Sequence, residues 1–410
     1  MWYRDSRNAS FLLSSIGWAA LTPGSFVWPP LDDDQRELLA LVRTVATELI
    51  APRAAEIDES HEFPWDIVEL FREQGLFGLF FEERDGGTGT GALLALAAIE
   101  EVSKVCATSG LILAAQELGS LALKLAGSEE QQARYLPRLA AGELLAAYAL
   151  TESGSGSDSA ALRTTAERDG DDYVLNGDKR FITNAGVAGL YTVFARTDPT
   201  GKHRGISAFV VEPDTPGFEV ARLEPKLGIS GSTTGELVFD NCRVPAANRI
   251  GAEGEGFPIA MRVLDRSRGG IAAQAVGIAE GATDYALRYA KERETMGSPI
   301  SKHQLIAGKL ADMDTACQAA RGLLYRFGLM LEAGVDGPEL TKASAQAKLF
   351  GSDTAMWVTT EAVQILGGYG YIKEYPVERM MRDAKITQIY EGTNEIQRLV
   401  IARELVRLSS

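Results

Sequence analysis

The stretch DDYVLNGDKRFIT, residues 171–183, decides how the fold is read. It places β-rich runs on either side of Asn176-Gly177, a pair suited to the positive backbone angles of a tight hairpin turn. Further short strand candidates follow in LYTVFART, GISAFVVEP, FEVARLE and GELVFDNCRV, with Gly, Pro, Asp and Asn between them. Strands this short and this closely spaced predict a compact antiparallel β-barrel or sandwich over residues 147–256.

The flanks of this region read differently. LDDDQRELLALVRTVATELIAPRAAEI opens with acids and carries Leu38, Leu39, Leu41 and Val42 at helical spacing. WDIVELFREQGLFG and GALLALAAIEEVSKV continue that pattern, so residues 31–146 are expected to form an all-α domain. GTGTG at 87–91 is a loop between helices; it is not a GxGxxG fingerprint and no clear strand precedes it. Residues 257–410 are helical again, with long segments at 257–293, 301–333 and 338–367 and a shorter one at the end. Alanine and leucine dominate and the connections are short, as in an antiparallel four-helix bundle. The chain is therefore expected to be mainly α with a β-domain in the middle.

Residues 1–30 are expected to be a flexible extension. FLLSSIGWAALTPGSFVWPP at 11–30 faintly resembles a secretory signal, but Asp5 interrupts the positive region and Ser and Gly break the apolar run. No run of about twenty apolar residues predicts a membrane span. With 41 basic and 56 acidic residues the formal charge is −15, which argues against nucleic acid as a partner. A small anionic ligand held by a few local groups is compatible with that charge. Cys106, Cys242 and Cys317 lie far apart, as do His61, His203 and His303. That spacing makes a disulfide framework or metal site unexpected and fits a reducing, cytoplasmic compartment.

Six motifs stand out. In YALTESGSGSDSAALRTTA (148–166), small residues leave backbone N–H groups open, and Thr151, Ser153, Ser155 and Ser157 offer hydroxyls. The stretch reads either as a ligand cradle or as a solvated linker. In RFITNAG (180–186), Phe181 serves as a stacking face for a planar ring or as a core strand residue. In LDRSR (264–268), Asp265 and Arg268 form an i,i+3 pair or jointly meet a polar ligand. RETMG (293–297) followed by KHQ (302–304) offers Arg293 for a phosphate and Gln304 for an amide-like edge, or is an exposed loop. QILGGYGY (364–371) ends a helix with Gly367 and Gly368, which also permits close backbone approach. Finally, TQIYEGTNEIQRLVIA (387–402) sets Glu391 among apolar residues; Asn394 with Gln397 reads as a helix start, and an acid ahead of it can simply favour that start.

Taken together these segments resemble the acyl-CoA dehydrogenase family of flavoproteins over residues 31–408. The likeness rests on ALTESGSGSD, KRFITNAG, KLGISGSTTGELVFDNCRVP, LDRSRGGIAAQAVGIAEGA, ERETMGSPISKHQLI, QILGGYGY and MRDAKITQIYEGTNEIQRLVIARE in that order. It implies FAD lined by Tyr148, Leu150, Thr151, Gly156 and Ser157, with Ser157 also near the acyl-CoA, and with Phe181, Ile182 and Thr183 on the isoalloxazine. It implies that Arg293, Thr295, Gln304, Gln364, Ile365, Gly367 and Gly368 reach the FAD of a neighbouring subunit, and that Thr393 and Glu395 contact FAD. Asp265 and Arg268 would meet CoA, Gly392 would touch substrate, and Glu391 would be the catalytic base.

The resemblance further implies a homotetramer that passes electrons to an electron-transfer flavoprotein. Where the family often has Pro, Trp and Arg, this chain has Ser153, Phe181 and Ser230. The expected reaction removes the α-proton of a saturated acyl-CoA while the β-hydride leaves to FAD N5, giving a trans-2-enoyl-CoA. It needs a base in a dry pocket, with apolar neighbours such as Tyr390 and Ile389 raising its pKa, and the Glu391 N–H among the donors to the thioester oxygen. SGLILAAQELG (109–119) leans toward short or medium chains. The alternatives are a tailoring dehydrogenase on an acyl-carrier-protein or ring carboxyl-CoA thioester, and a non-catalytic acyl-CoA-binding relative.

Overall fold

The computed structural model describes residues 31–409, so the expected N-terminal extension and its signal-like stretch lie outside the described residues. Among the described residues six α-helices come first: α1 (Asp33–Thr44), α2 (Ala54–Ser60), α3 (Trp65–Glu73), α4 (Ala92–Ser103), α5 (Ala107–Ala126) and α6 (Glu129–Ala140). The Asp32 side chain accepts from Gln35 N at 2.8 Å, and Gln35 Oε1 accepts from Asp32 N at 3.1 Å. This reciprocal cap satisfies two free N–H groups and starts α1. Helix α4 is buried on every side from Leu93 to Ser103, which makes it a core helix.

The middle region holds β1 (Ala146–Ala149), β2 (Thr165–Asp169), β3 (Asp172–Thr183), β4 (Leu190–Arg196), β5 (Ile206–Val211), β6 (Phe218–Leu223), β7 (Thr234–Pro245) and β8 (Arg249–Ile250). They form one sheet in the order β6-β7-β3-β2-β4-β5-β8, with β1 beside β4. Most neighbours are antiparallel, but β1–β4 and the single β2–β4 contact are parallel.

Asn176-Gly177 does not turn the chain. The β2–β3 hairpin turns earlier, at Gly170-Asp171, where Gly170 has φ +60° and Asp169 pairs with Asp172. Strand β3 runs straight through Asn176-Gly177, with a register shift against β7 between Leu175 and Gly177. A Cβ at Gly177 would stand 2.7 Å from Thr164 Oγ1, and Asn176 Oδ1 accepts from Asn241 N at 2.8 Å. The glycine thus serves a bulge and a close approach.

The C-terminal region contains α7 (Gly256–Glu292), the two-residue strands β9 (Glu294–Thr295) and β10 (Ser298–Pro299), α8 (Gln304–Glu332), α9 (Pro338–Leu366), α10 (Val377–Thr387) and α11 (Asn394–Leu408). The chain thus ends in two short helices, not one. Helix α7 packs against α9, α8, α5 and α4. It meets α4 backbone to backbone: a Cβ on Gly277 would lie 2.2 Å from Glu100 O, and one on Gly281 2.0 Å from Lys104 O.

Charges are buried at this crossing. Arg321 Nε donates to Glu100 at 2.7 Å and its other arm reaches Glu280, while Tyr325 OH donates to Glu100 at 2.8 Å. The network ties α4, α7 and α8 together, and burial outweighs Arg321 in pushing the Glu100 carboxyl above its ordinary range. Among the described residues no helix is long and apolar enough to cross a membrane, and no His, Cys, Asp or Glu cluster could hold a metal.

Candidate active site

The loop between α10 and α11 carries Glu391 at φ +52° and Gly392 at φ +92°. A left-handed Glu costs about 1–2 kcal/mol, so its surroundings must hold it there. Arg268 Nε and Gln397 Nε2 each donate to Glu391 O at 3.3 Å. Gln397 Nε2 and Lys348 Nζ both donate to Gly392 O at 2.8 Å. Lys348 also reaches Asn394 Oδ1 at 2.9 Å. The expected start of α11 moves by one residue: Thr393 is its cap, accepting from Ile396 N, while Asn394 is drawn into the Lys348 network. Tyr390 is fixed by donating to Gln274 Oε1, and Gln274 donates to Ala107 O at 2.9 Å.

The carboxyl itself is held by Ser267, whose Oγ donates to Glu391 Oε2 at 2.5 Å. Glu391 keeps some exposure. Surrounding protein nevertheless pushes its pKa up to about 7, against the opposing pull of Ser267, Arg268 and Lys348. Burial likewise lowers Lys348 to about 7. Tyr390 is part of this enclosure, but Ile389 is 48% exposed and is not. Glu391 N makes no backbone hydrogen bond among the described residues, so it is open to a ligand.

Asp265 and Arg268 turn inward. Arg268 is 5% exposed and its Nη1 lies 3.0 Å from Asp265, whose second oxygen accepts from Thr341 at 2.7 Å. Arg268 therefore buttresses the Glu391 loop, and its second arm lies 3.9 Å from the place a Cβ would take on Gly392.

Tyr148, on β1, packs beside α7 and faces the charges of Glu391 and Arg268. From there the chain enters the Thr151–Ser157 loop. Glu152 shapes this loop: it accepts from Arg163 N at 2.6 Å, Thr164 N at 3.0 Å and the fully buried Lys179 at 2.7 Å. Lys179 also donates to Leu150 O at 3.2 Å, and Arg180 N donates to Thr151 O at 2.8 Å. The loop is thereby bonded along the start of RFIT and is not a solvated linker. Next to it, Phe181 sits at φ +58° with 61% of its surface exposed, so it is a presented ring and not a core residue. Ile182 is buried.

Ser230 donates to Asp58 at 2.8 Å, and Asp58 is paired with Arg382 at 2.6 Å. The departure at position 230 thus joins the β-domain to α2 and α10.

A second cluster lies at the far end of α7. Arg293, Thr295, His303, Ile365, Gly368 and Tyr369 help to line a cleft of about 560 Å³. Thr295 Oγ1 bonds His303 Nε2 at 3.1 Å, and the Arg293 guanidinium stands 5.7 Å from the Tyr369 ring centre. Gln304 and Gln364 are exposed beside it, and Gly367 caps α9 with φ +62°. Arg268 and Arg293 are 25 positions apart along α7, about 38 Å at helical rise. The two clusters are therefore well separated on one chain.

Sequence reasoning missed Ser267, Lys348, Glu152 and Lys179. All but Lys348 stood inside quoted motifs, but nothing in their spacing marks them as partners. Glu395 is exposed and Thr393 is occupied by its cap.

A planar, hydroxyl-rich cofactor fits this surface. Among the described residues Ser155 Oγ and Thr233 Oγ1 are buried without a partner, and nothing lies within 4 Å of a Cβ placed on Gly154 or Gly156. A carboxyl poised near neutrality together with such a cradle marks a site built for a bound cofactor and a reacting ligand.

Comparison with known proteins names the class. The chain matches the acyl-CoA dehydrogenase N-terminal domain over residues 32–143, the middle domain over 147–242 and the C-terminal domain over 254–406. It is 49% identical over 378 residues to a short-chain-specific acyl-CoA dehydrogenase of Clostridium acetobutylicum, covering 92% of this chain and 99% of that one. It is 47% identical to a cyclohexane-1-carbonyl-CoA dehydrogenase of Geobacter metallireducens, covering 92% and 98%. Butyryl-CoA dehydrogenase from Megasphaera elsdenii shares the structure with a TM-score of 0.90 at 44% identity, covering 92% and 99%. The chain belongs to the acyl-CoA dehydrogenase family. Members are FAD enzymes, and this protein is an oxidoreductase with a helical N-terminal domain, a middle β-domain and a C-terminal helical bundle.

Proposed function

We propose that this protein converts a saturated acyl-CoA to the trans-2-enoyl-CoA, with Glu391 as the base that takes the α-proton. The observation that carries this reading is the Glu391 carboxyl, raised to about 7 by burial and aimed by Ser267 at 2.5 Å. A base with that pKa is substantially ionised at neutral pH and still strong enough to accept a proton from carbon. The open Glu391 N–H is suited to the thioester oxygen, where negative charge develops.

Tyr148, Leu150, Thr151, Gly156, Ser157, Phe181, Ile182 and Thr183 would hold FAD, with Phe181 as the stacking face. Bound FAD supplies the acceptor for the β-hydride. The orphaned hydroxyls of Ser155 and Thr233 gain partners in this reading. Asp265 and Arg268 position the Glu391 loop, and Gly392 would touch substrate.

The Arg293 cluster lies at the other end of α7 from Arg268, which supports a role toward a different flavin. It would hold FAD bound to a neighbouring copy, so the enzyme would assemble as a homotetramer, with an electron-transfer flavoprotein as acceptor. The corresponding domain division is 31–146, 147–256 and 257–410.

A short acyl chain is favoured, since the Clostridium and Megasphaera relatives are named for short substrates. The Geobacter relative at 47% identity supports a second reading, a ring carboxyl-CoA. Anaerobic titration of the yellow protein with C4 to C16 acyl-CoAs and cyclohexane-carboxyl-CoA separates them. Fastest bleaching at C4–C8 supports the first, ring-only bleaching the second, and no bleaching removes both.

A further inference from the structure

Helix α5 carries a second carboxyl close to the first. The Glu117 carboxyl makes no hydrogen bond or ion pair among the described residues; only its backbone O is engaged, accepting from Ser120 Oγ at 2.9 Å. Its Oε2 lies 3.6 Å from where a Cβ would stand on Gly270, beside Ala114 Cβ at 3.4 Å and Ile99 Cδ1 at 3.6 Å from the same point. Gly270 follows Ser267 by three residues, so both lie on one face of α7, about 4.5 Å apart along its axis. Glu117 is thus placed roughly one turn beyond the Ser267–Glu391 contact, close enough for the two carboxyls to sense each other's charge.

Lys124, the cation that acts on Glu117 among the described residues, is engaged elsewhere: its Nζ donates to Phe80 O at 2.6 Å and stands 3.8 Å over the Phe81 ring. Burial pushes Glu117 up to about 7. A carboxyl set against alanine and isoleucine without a bonding partner is costly, by an amount that one good donor offsets. The glycine opposite leaves space for that donor to arrive. Glu117 also retains partial exposure.

We propose that Glu117 determines specificity by accepting a hydrogen bond from a hydroxyl or amine on the acyl chain beyond Cβ. The preferred substrate is then a short acyl-CoA bearing such a donor, not the plain alkanoyl thioester. This rests on the acyl-CoA reading above and deepens it.

The test compares flavin bleaching by 4-hydroxybutyryl-CoA and butyryl-CoA in FAD-loaded wild type, Glu117→Gln and Glu117→Leu. The expected result is a hydroxy-to-plain ratio of kcat/KM that falls at least about tenfold in Glu117→Leu, with butyryl-CoA handled better than before. Glu117→Gln keeps the volume and part of the bonding, so it should fall between. A purely structural role would lower both substrates together. A ratio that stays within twofold across the three proteins overturns the inference while leaving the dehydrogenase reading intact. Bleaching by neither thioester in wild type removes the dehydrogenase reading, and the inference with it.

Discussion

Ser267 Oγ and Glu391 Oε2 are 2.5 Å apart, one on a helix of the bundle and the other on a loop 124 residues later. The hydroxyl donates, so it stabilises the ionised carboxyl against the burial that opposes ionisation. Removing it should raise the Glu391 pKa. A hydrogen bond to a charged group contributes about 1.5–3 kcal/mol, which corresponds to roughly 1–2 pH units. Ser267→Ala should therefore shift the acid limb of kcat/KM upward by about one unit, read from flavin reduction rates between pH 5.5 and 9. An unmoved limb would detach Ser267 from the base.

In wild type the sign is set by Glu391 acting as the base. The base must be ionised to take a proton, and its pKa is raised to about 7. The rate should thus rise about tenfold per pH unit below 7 and level off above it. Lys348, also near 7, titrates with it as a pair, so the measured midpoint belongs to both. A limb centred near 4.5 would contradict the buried carboxyl.

Lys348→Met removes the ammonium that holds Gly392 O and Asn394. It also removes a charge that lowers the Glu391 pKa. The expected outcome is a fall in kcat of roughly 10–100-fold together with an upward shift of the acid limb. A change in KM alone would show that Lys348 does not order the loop.

Arg321→Met should act on stability. It leaves Glu100, 1% exposed, without its cation inside the α4–α7–α8 crossing. Breaking such a pair from one side costs about 3–5 kcal/mol. The melting temperature should drop clearly, while the folded protein at 25 °C reduces its flavin at the wild-type rate. An unchanged melting temperature would show the network to be unimportant.

The three long helices were legible because apolar periodicity and glycine breaks act locally. They fall at Gly256–Glu292, Gln304–Glu332 and Pro338–Leu366, close to the expected spans. Asn176-Gly177 misled because the same pair that suits a turn also suits a bulge, and only the approach of Thr164 separates the two. Glu391 could be singled out from IYEGT, yet its control could not. Lys348 looks like an ordinary helix lysine in an alanine-rich run, and its burial arises from α11 folding over it. Glu152 and Lys179 stand 27 residues apart, and only the β-domain brings them together. Residues 153 and 181 depart from the family pattern without closing the cradle, since Phe181 still presents its ring.

The central claim is that Glu391 takes the α-proton. The most direct measurement is anaerobic stopped-flow bleaching of the flavin by butyryl-CoA in wild type and Glu391→Gln, both loaded with FAD. The account predicts rapid bleaching in wild type and a loss of at least about a thousandfold in the variant, with FAD still bound. Bleaching of the variant within tenfold of wild type would contradict it and move the base to another residue.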